Sequence, residues 1–139
     1  MIIDAHHHVW DLTVRDQDWL ADEPMTPIQR NFSVDDLRPA AKAAGVTATV
    51  MVQTITVAEE TPEMLATAAA DPLVAGVVGW TDLTSAAVAD ELAMLRAGVG
   101  GEYLVGIRHQ VQGRAGSGLA PSARCDPRSA DGRRHRARV

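Results

Sequence analysis

Three apolar, β-branched segments begin near residues 46, 73 and 103, so they recur at steps of 27 and 30 residues. That step accommodates one strand, one helix and two short connections. Ile2 to His8 forms a fourth such segment at the start of the chain. The strands are predicted as Ile2 to His8, Val46 to Gln53, Leu73 to Trp80 and Tyr103 to His109. Their apolar runs lack clean alternation, which suits parallel strands buried on both faces. Between them, three segments have helical spacing. Ser33-Val34-Asp35-Asp36 resembles a capping box ahead of Leu37, Ala40, Ala41 and Ala44, and Gly45 stops that helix. Glu59 to Ala70 is the second helix, ended by Asp71-Pro72. Thr84 or Ser85 caps a third with Val88, Leu92 and Leu95 on one face, closed by Gly98. The order β-α-β-α-β-α-β is α/β.

Composition narrows the class. The chain has 139 residues, 46% apolar and 22% charged, the size and make-up of about one globular domain. No apolar run reaches the roughly 18 residues of a membrane span. The start lacks a basic segment followed by a long apolar one, so no secretory signal is expected. The single Cys125 excludes an internal disulfide framework and suits a reducing, cytoplasmic setting. The net charge of −5 averages two unlike parts: residues 1–113 hold 6 Lys and Arg against 16 Asp and Glu, and residues 114–139 hold 7 Arg against 2 Asp. An acidic body argues against nucleic-acid binding. The Arg-rich segment has no Ile, Met, Phe, Trp or Tyr. It is expected to be disordered, because it offers too little apolar surface to offset its ordering entropy. It reads either as a natural basic tail, a weak polyanion binder at most, or as a shifted frame of a G+C-rich gene. The frameshift reading is preferred, giving domains 1–113 and 114–139.

The sharpest chemical signal is Asp4-Ala5-His6-His7-His8 at the end of the first strand. Side chains alternate along a strand, so His6 and His8 share a face and His7 takes the other. Two imidazoles so spaced can converge on one metal ion. The alternative is an incidental cluster. At the C-terminal mouth of a parallel barrel the pair would face an active site. Asp4 is read as a supporting or structural residue. Other candidates sit at predicted strand ends. Gln53 and Asp82 follow strands two and three. Arg108 and His109 end strand four. Arg108 suits a bidentate grip on a carboxylate. His109 suits substrate binding or proton transfer. Ordinary capping and salt bridging is the competing reading for each. Trp10, Trp19 and Trp80 read as packing residues ahead of substrate platforms, and Arg30, just before the first helix, reads equally as a candidate or as a solvated charge. Cys125 and His135 are given no role.

With these residues in view, the chain resembles amidohydrolase-superfamily proteins of the amidohydrolase-2 type. The matching segments are Met1-Ile2-Ile3-Asp4-Ala5-His6-His7-His8-Val9-Trp10-Asp11, Trp19-Leu20, Arg30-Asn31-Phe32-Ser33-Val34-Asp35-Asp36-Leu37, Val50-Met51-Val52-Gln53, Val74 to Leu83 and Leu104 to His109. The resemblance implies a (β/α)8 TIM barrel, here a truncated one of about four βα units. It implies His6 and His8 at a divalent-metal site, zinc first, although some lactonases of this kind work without a metal. Gln53, Arg108 and His109 are the expected substrate contacts. A general base is expected from later strands. The implied activity is hydrolysis of a small lactone or related cyclic carboxylic derivative by metal-activated water in the full-length form. The alternative is an inactive relic or a self-associating half-barrel. The expected partners are a small-molecule substrate and a possible second copy, with no nucleic acid and no membrane.

Overall fold

The computed structural model describes residues 1–110. The 113/114 boundary, the expected disorder after it, Cys125 and His135 lie outside the described residues. The elements are β1 (Ile2–His7), α1 (Val34–Ala43), β2 (Val46–Val52), α2 (Glu60–Ala70), β3 (Val74–Gly79), α3 (Val88–Ala97) and β4 (Leu104–Ile107), with 3-10 turns at Asp18–Leu20, Glu23–Ile28 and Gly101–Tyr103. The sheet order is β1-β2-β3-β4 and every pair is parallel. Consecutive parallel strands, joined through helices, are the winding of a (β/α)8 barrel. The four strands supply one part of such a barrel. No helix among the described residues is long and apolar enough to cross a membrane.

One face of the sheet carries the core. Met51, Val74, Val77 and Leu104 pack against Met64, Leu65 and Ala68 of α2 and Val34 of α1. Met51 and Val77 are fully buried. The opposite face is open: Ile3 and Val105 are 52% and 60% exposed. Burial on both faces, expected from the apolar runs, is therefore met on one side only, because all three helices of the described residues precede or follow strands on the same side of the winding.

The helix starts explain themselves locally. At α1, the Asp36 carboxylate accepts the Ser33 N–H and hydroxyl, both at 2.8 Å. Gly45 follows α1 with φ +69°, a left-handed conformation that favours glycine. α3 begins at Val88, later than Thr84 or Ser85 predicts. The Asp82 carboxylate takes the Thr84 N–H at 2.9 Å and its hydroxyl at 2.7 Å, and Ser85 N–H bonds the Asp82 carbonyl at 3.1 Å. These bonds fold residues 82–85 into a turn that competes with helix. β4 is short, so Arg108 and His109 lie just past it, as His8 lies just past β1.

The long connection after β1 is ordered by its aromatic residues. Trp10 and Phe32 exchange backbone bonds at 3.0 and 2.9 Å. The Trp10 ring lies 5.3 Å from Trp19 and 4.9 Å from Phe32. Arg30 is more than a solvated charge: its guanidinium sits 3.6 Å over the Phe32 ring and pairs with Asp36 at 3.3 Å.

Candidate functional site

The end of β1 is shaped by a register shift. Asp4 is level with Thr49 and His7 with Met51, so three steps on β1 match two on β2. The Asp4 carboxylate accepts the His6 N–H at 3.1 Å within this irregular stretch. That gives Asp4 a structural part. His7 turns to the covered face and is 8% exposed. Neither of its ring nitrogens has a partner among the described residues. Burial holds its pKa below the usual histidine value.

His6 and His8 meet. Their Nε2 atoms are 3.1 Å apart and their rings stand at 79°. The His8 Nδ1 is 2.8 Å from the Val52 carbonyl oxygen at the end of β2. A carbonyl only accepts, so Nδ1 carries the proton and the Nε2 lone pair points outward. Such a bond orients the imidazole of many metal sites. Burial, chiefly, holds the His8 pKa below its usual value; the Val52 carbonyl opposes that, and His6 and Arg108 add to it.

A zinc ion bonded to both Nε2 atoms at roughly 2.05 Å would subtend about 98° across the 3.1 Å gap, near the tetrahedral angle of about 109°. The pair therefore fits two ligand positions. Among the described residues no group of three or more His, Cys, Asp or Glu gathers to complete a site.

Across β2 to β4 the sheet brings Gln53 and Arg108 together. Gln53 is fully buried. Its Oε1 accepts Arg108 Nε at 2.9 Å, and its main-chain oxygen accepts Nη2 at 2.8 Å. Its Nε2 donates to the Ile55 carbonyl at 3.1 Å. Gln53 was expected to touch substrate. Complete burial and protein partners on both amide atoms make it instead the group that holds Arg108. The remaining guanidinium donors have no partner among the described residues. His109 lies beyond β4, where Trp80 Nε1–H donates to its Nδ1 at 2.9 Å.

Asp82 is drawn into its own turn with Thr84, which chiefly holds its carboxyl below the usual range. Two buried residues had no place in the sequence reading. Glu60, in the first turn of α2, accepts the Thr54 N–H at 2.8 Å, the Thr54 hydroxyl and the Ile55 N–H at 3.2 Å. It fastens the segment after β2 that carries Gln53. Thr61, also on α2, bonds the main chain of Trp80 on both sides. Two adjacent acids opening a helix after a strand were the available signal for Glu60; Thr61 had none.

Comparisons with known proteins agree with this arrangement. The Amidohydro_2 family model, described as amidohydrolase, matches residues 3–128. An L-fucono-1,5-lactonase from Burkholderia ambifaria is 39% identical over 93 residues, covering 67% of this chain and 32% of the relative. An L-fucono-1,5-lactonase from Burkholderia multivorans is 34% identical over 113 residues, covering 81% and 36%. The chain thus spans about a third of the length of these curated relatives. A crystal structure of a Burkholderia multivorans amidohydrolase with bound zinc superposes with a TM-score of 0.74 at 33% identity, over 83% of this chain and 39% of that one. A second crystal form with bound HEPES gives 0.74 at 32% identity, over 83% and 38%. The strand order, the paired histidines at the end of β1 and the match over residues 3–128 lead to one assignment: this chain belongs to the amidohydrolase family.

Proposed function

We propose that this chain forms the β1–β4 side of the active site of a hydrolase that opens small sugar lactones. The observation that carries the reading is the His6–His8 pair, its Nε2 atoms 3.1 Å apart with His8 oriented by the Val52 carbonyl. The 1,5-lactonase relatives support a six-membered sugar lactone as the substrate class. The zinc in a related crystal structure supports zinc as the ion.

His6 and His8 would hold the ion through Nε2. When bound, it supplies a Lewis acid for the lactone carbonyl and lowers the pKa of its water to about 7. The chain's own residues do the rest on this side. Arg108, steadied by Gln53, offers its remaining donors to a lactone or hydroxyl oxygen. His109 hydrogen-bonds the substrate from the end of β4. No described residue is assigned as the general base, which the reading places on strands beyond β4.

Zinc titration tests the reading. Wild type is expected to bind zinc at least tenfold more tightly than the His6→Ala and His8→Ala variants. Equal affinity in all three would remove the metal site on which the reading rests.

A further inference from the structure

Trp80 reads from sequence as a packing residue, yet its indole nitrogen is spent on one polar contact. Its Nε1–H donates to His109 Nδ1 at 2.9 Å, and the two rings, 6.1 Å apart at 47°, do not stack. An indole N–H can only donate. His109 Nδ1 must therefore present its lone pair, and the neutral ring must carry its proton on Nε2.

Trp80 is itself held in place. Thr61 on α2 is fully buried, and its hydroxyl accepts the Trp80 N–H at 2.7 Å and donates to the Trp80 carbonyl at 2.8 Å. The preceding residue, Gly79, makes that approach possible. A Cβ there would lie 2.4 Å from Thr61 Cγ2 and 2.7 Å from its Oγ1, closer than real Cβ contacts come. A continuous set of contacts thus runs from α2 through the Trp80 backbone to the His109 ring.

We propose that Trp80 is a positioning residue that fixes His109 as the Nε2–H tautomer, making His109 a neutral hydrogen-bond donor to a substrate oxygen. The inference rests on the reading of His109 as a substrate contact. It separates two chemistries that the sequence left open. A base or a metal ligand acting through Nε2 needs a lone pair there, and in this arrangement that position carries the proton. His109 accordingly hydrogen-bonds an oxygen and takes no proton from water.

Long-range proton–nitrogen NMR of the 139-residue chain, 15N-labelled at histidine, reads the tautomer directly. His109→Gln assigns the signals. Wild type is expected to give a pyridine-type Nδ1 and a pyrrole-type Nε2 for His109. Trp80→Phe, which keeps an aromatic ring and loses the donor, is expected to give a mixture of tautomers. A pyrrole-type Nδ1 in wild type, which needs no variant to fold, would overturn the proposal, as would an unchanged pattern in a folded Trp80→Phe. Titration with L-fucono-1,5-lactone separates the two readings. A shift of the His109 Nε2 signal supports both. An invariant signal with the Nε2–H tautomer intact supports Trp80 as the positioning residue and overturns only the substrate contact.

Discussion

Arg108 donates to both oxygens of Gln53, the side-chain Oε1 at 2.9 Å and the main-chain carbonyl at 2.8 Å, across two strands and 55 residues of sequence. The guanidinium is thereby held in one orientation at the C-terminal end of the sheet, on the side where His8 feels its charge.

Replacing Gln53 tests that hold. Gln53→Leu keeps most of the volume and removes the side-chain acceptor for Arg108 Nε and the donor to the Ile55 carbonyl. Loss of these buried bonds is expected to destabilise the fold by about 1–3 kcal/mol. Urea denaturation measures it, and a change within about 0.5 kcal/mol, typical of surface substitutions, would contradict the role.

Gly79 and Thr61 are expected to be coupled. Gly79→Ala forces a Cβ against Thr61 and is expected to cost roughly 1–3 kcal/mol. In a Thr61→Ala background the two nearest crowding atoms are gone and only the Thr61 Cβ, at 3.1 Å, stays close, so the same substitution is expected to cost clearly less. A double-mutant cycle reads the difference, and additive effects would show that the two residues do not meet.

The sheet's two faces are expected to respond unequally. Met51→Ala, on the covered face, is expected to cost about 2–5 kcal/mol by leaving a cavity. Val105→Ala, on the open face, is expected to change stability by no more than about 0.5 kcal/mol. Comparable losses at both sites would mean that something covers the open face in solution.

Much of this arrangement could be read from sequence, for identifiable reasons. β2 and β3 were placed within a residue because β-branched runs there are bounded by Gly45, Asp71-Pro72 and Gly79-Trp80. The convergence of His6 and His8 followed from strand alternation, although the register shift between Asp4 and His7 had no signal in the spacing. The start of α3 was misplaced because Asp82 and Ser85 bind local backbone groups, which resembles a cap in sequence. The parts played by Gln53, Glu60, Thr61 and Trp80 depend on contacts made only after α2 packs on β3 and β4 on β3. No local spacing encodes those contacts.

Acid sensitivity is expected to trace in part to Asp71. The Leu73 N–H donated to it at 3.0 Å, and Arg38 at 2.6 Å, hold its carboxyl below its ordinary 3.8, against some burial. A carboxyl depressed on folding contributes stability above the unfolded value and loses it as pH falls through the lower folded value. Asp71→Asn is therefore expected to be less stable than wild type at pH 6, with the gap closing below about pH 4. Thermal melts across that range check it, and a gap that stays constant with pH would contradict it.

His6 and His8 are proposed to hold one metal ion between them. Zinc K-edge X-ray absorption on the zinc-loaded chain tests it most directly. Two imidazole nitrogens at roughly 2.0–2.1 Å are expected in wild type, reduced to one in His6→Ala and in His8→Ala. An identical zinc environment in wild type and both variants would contradict it.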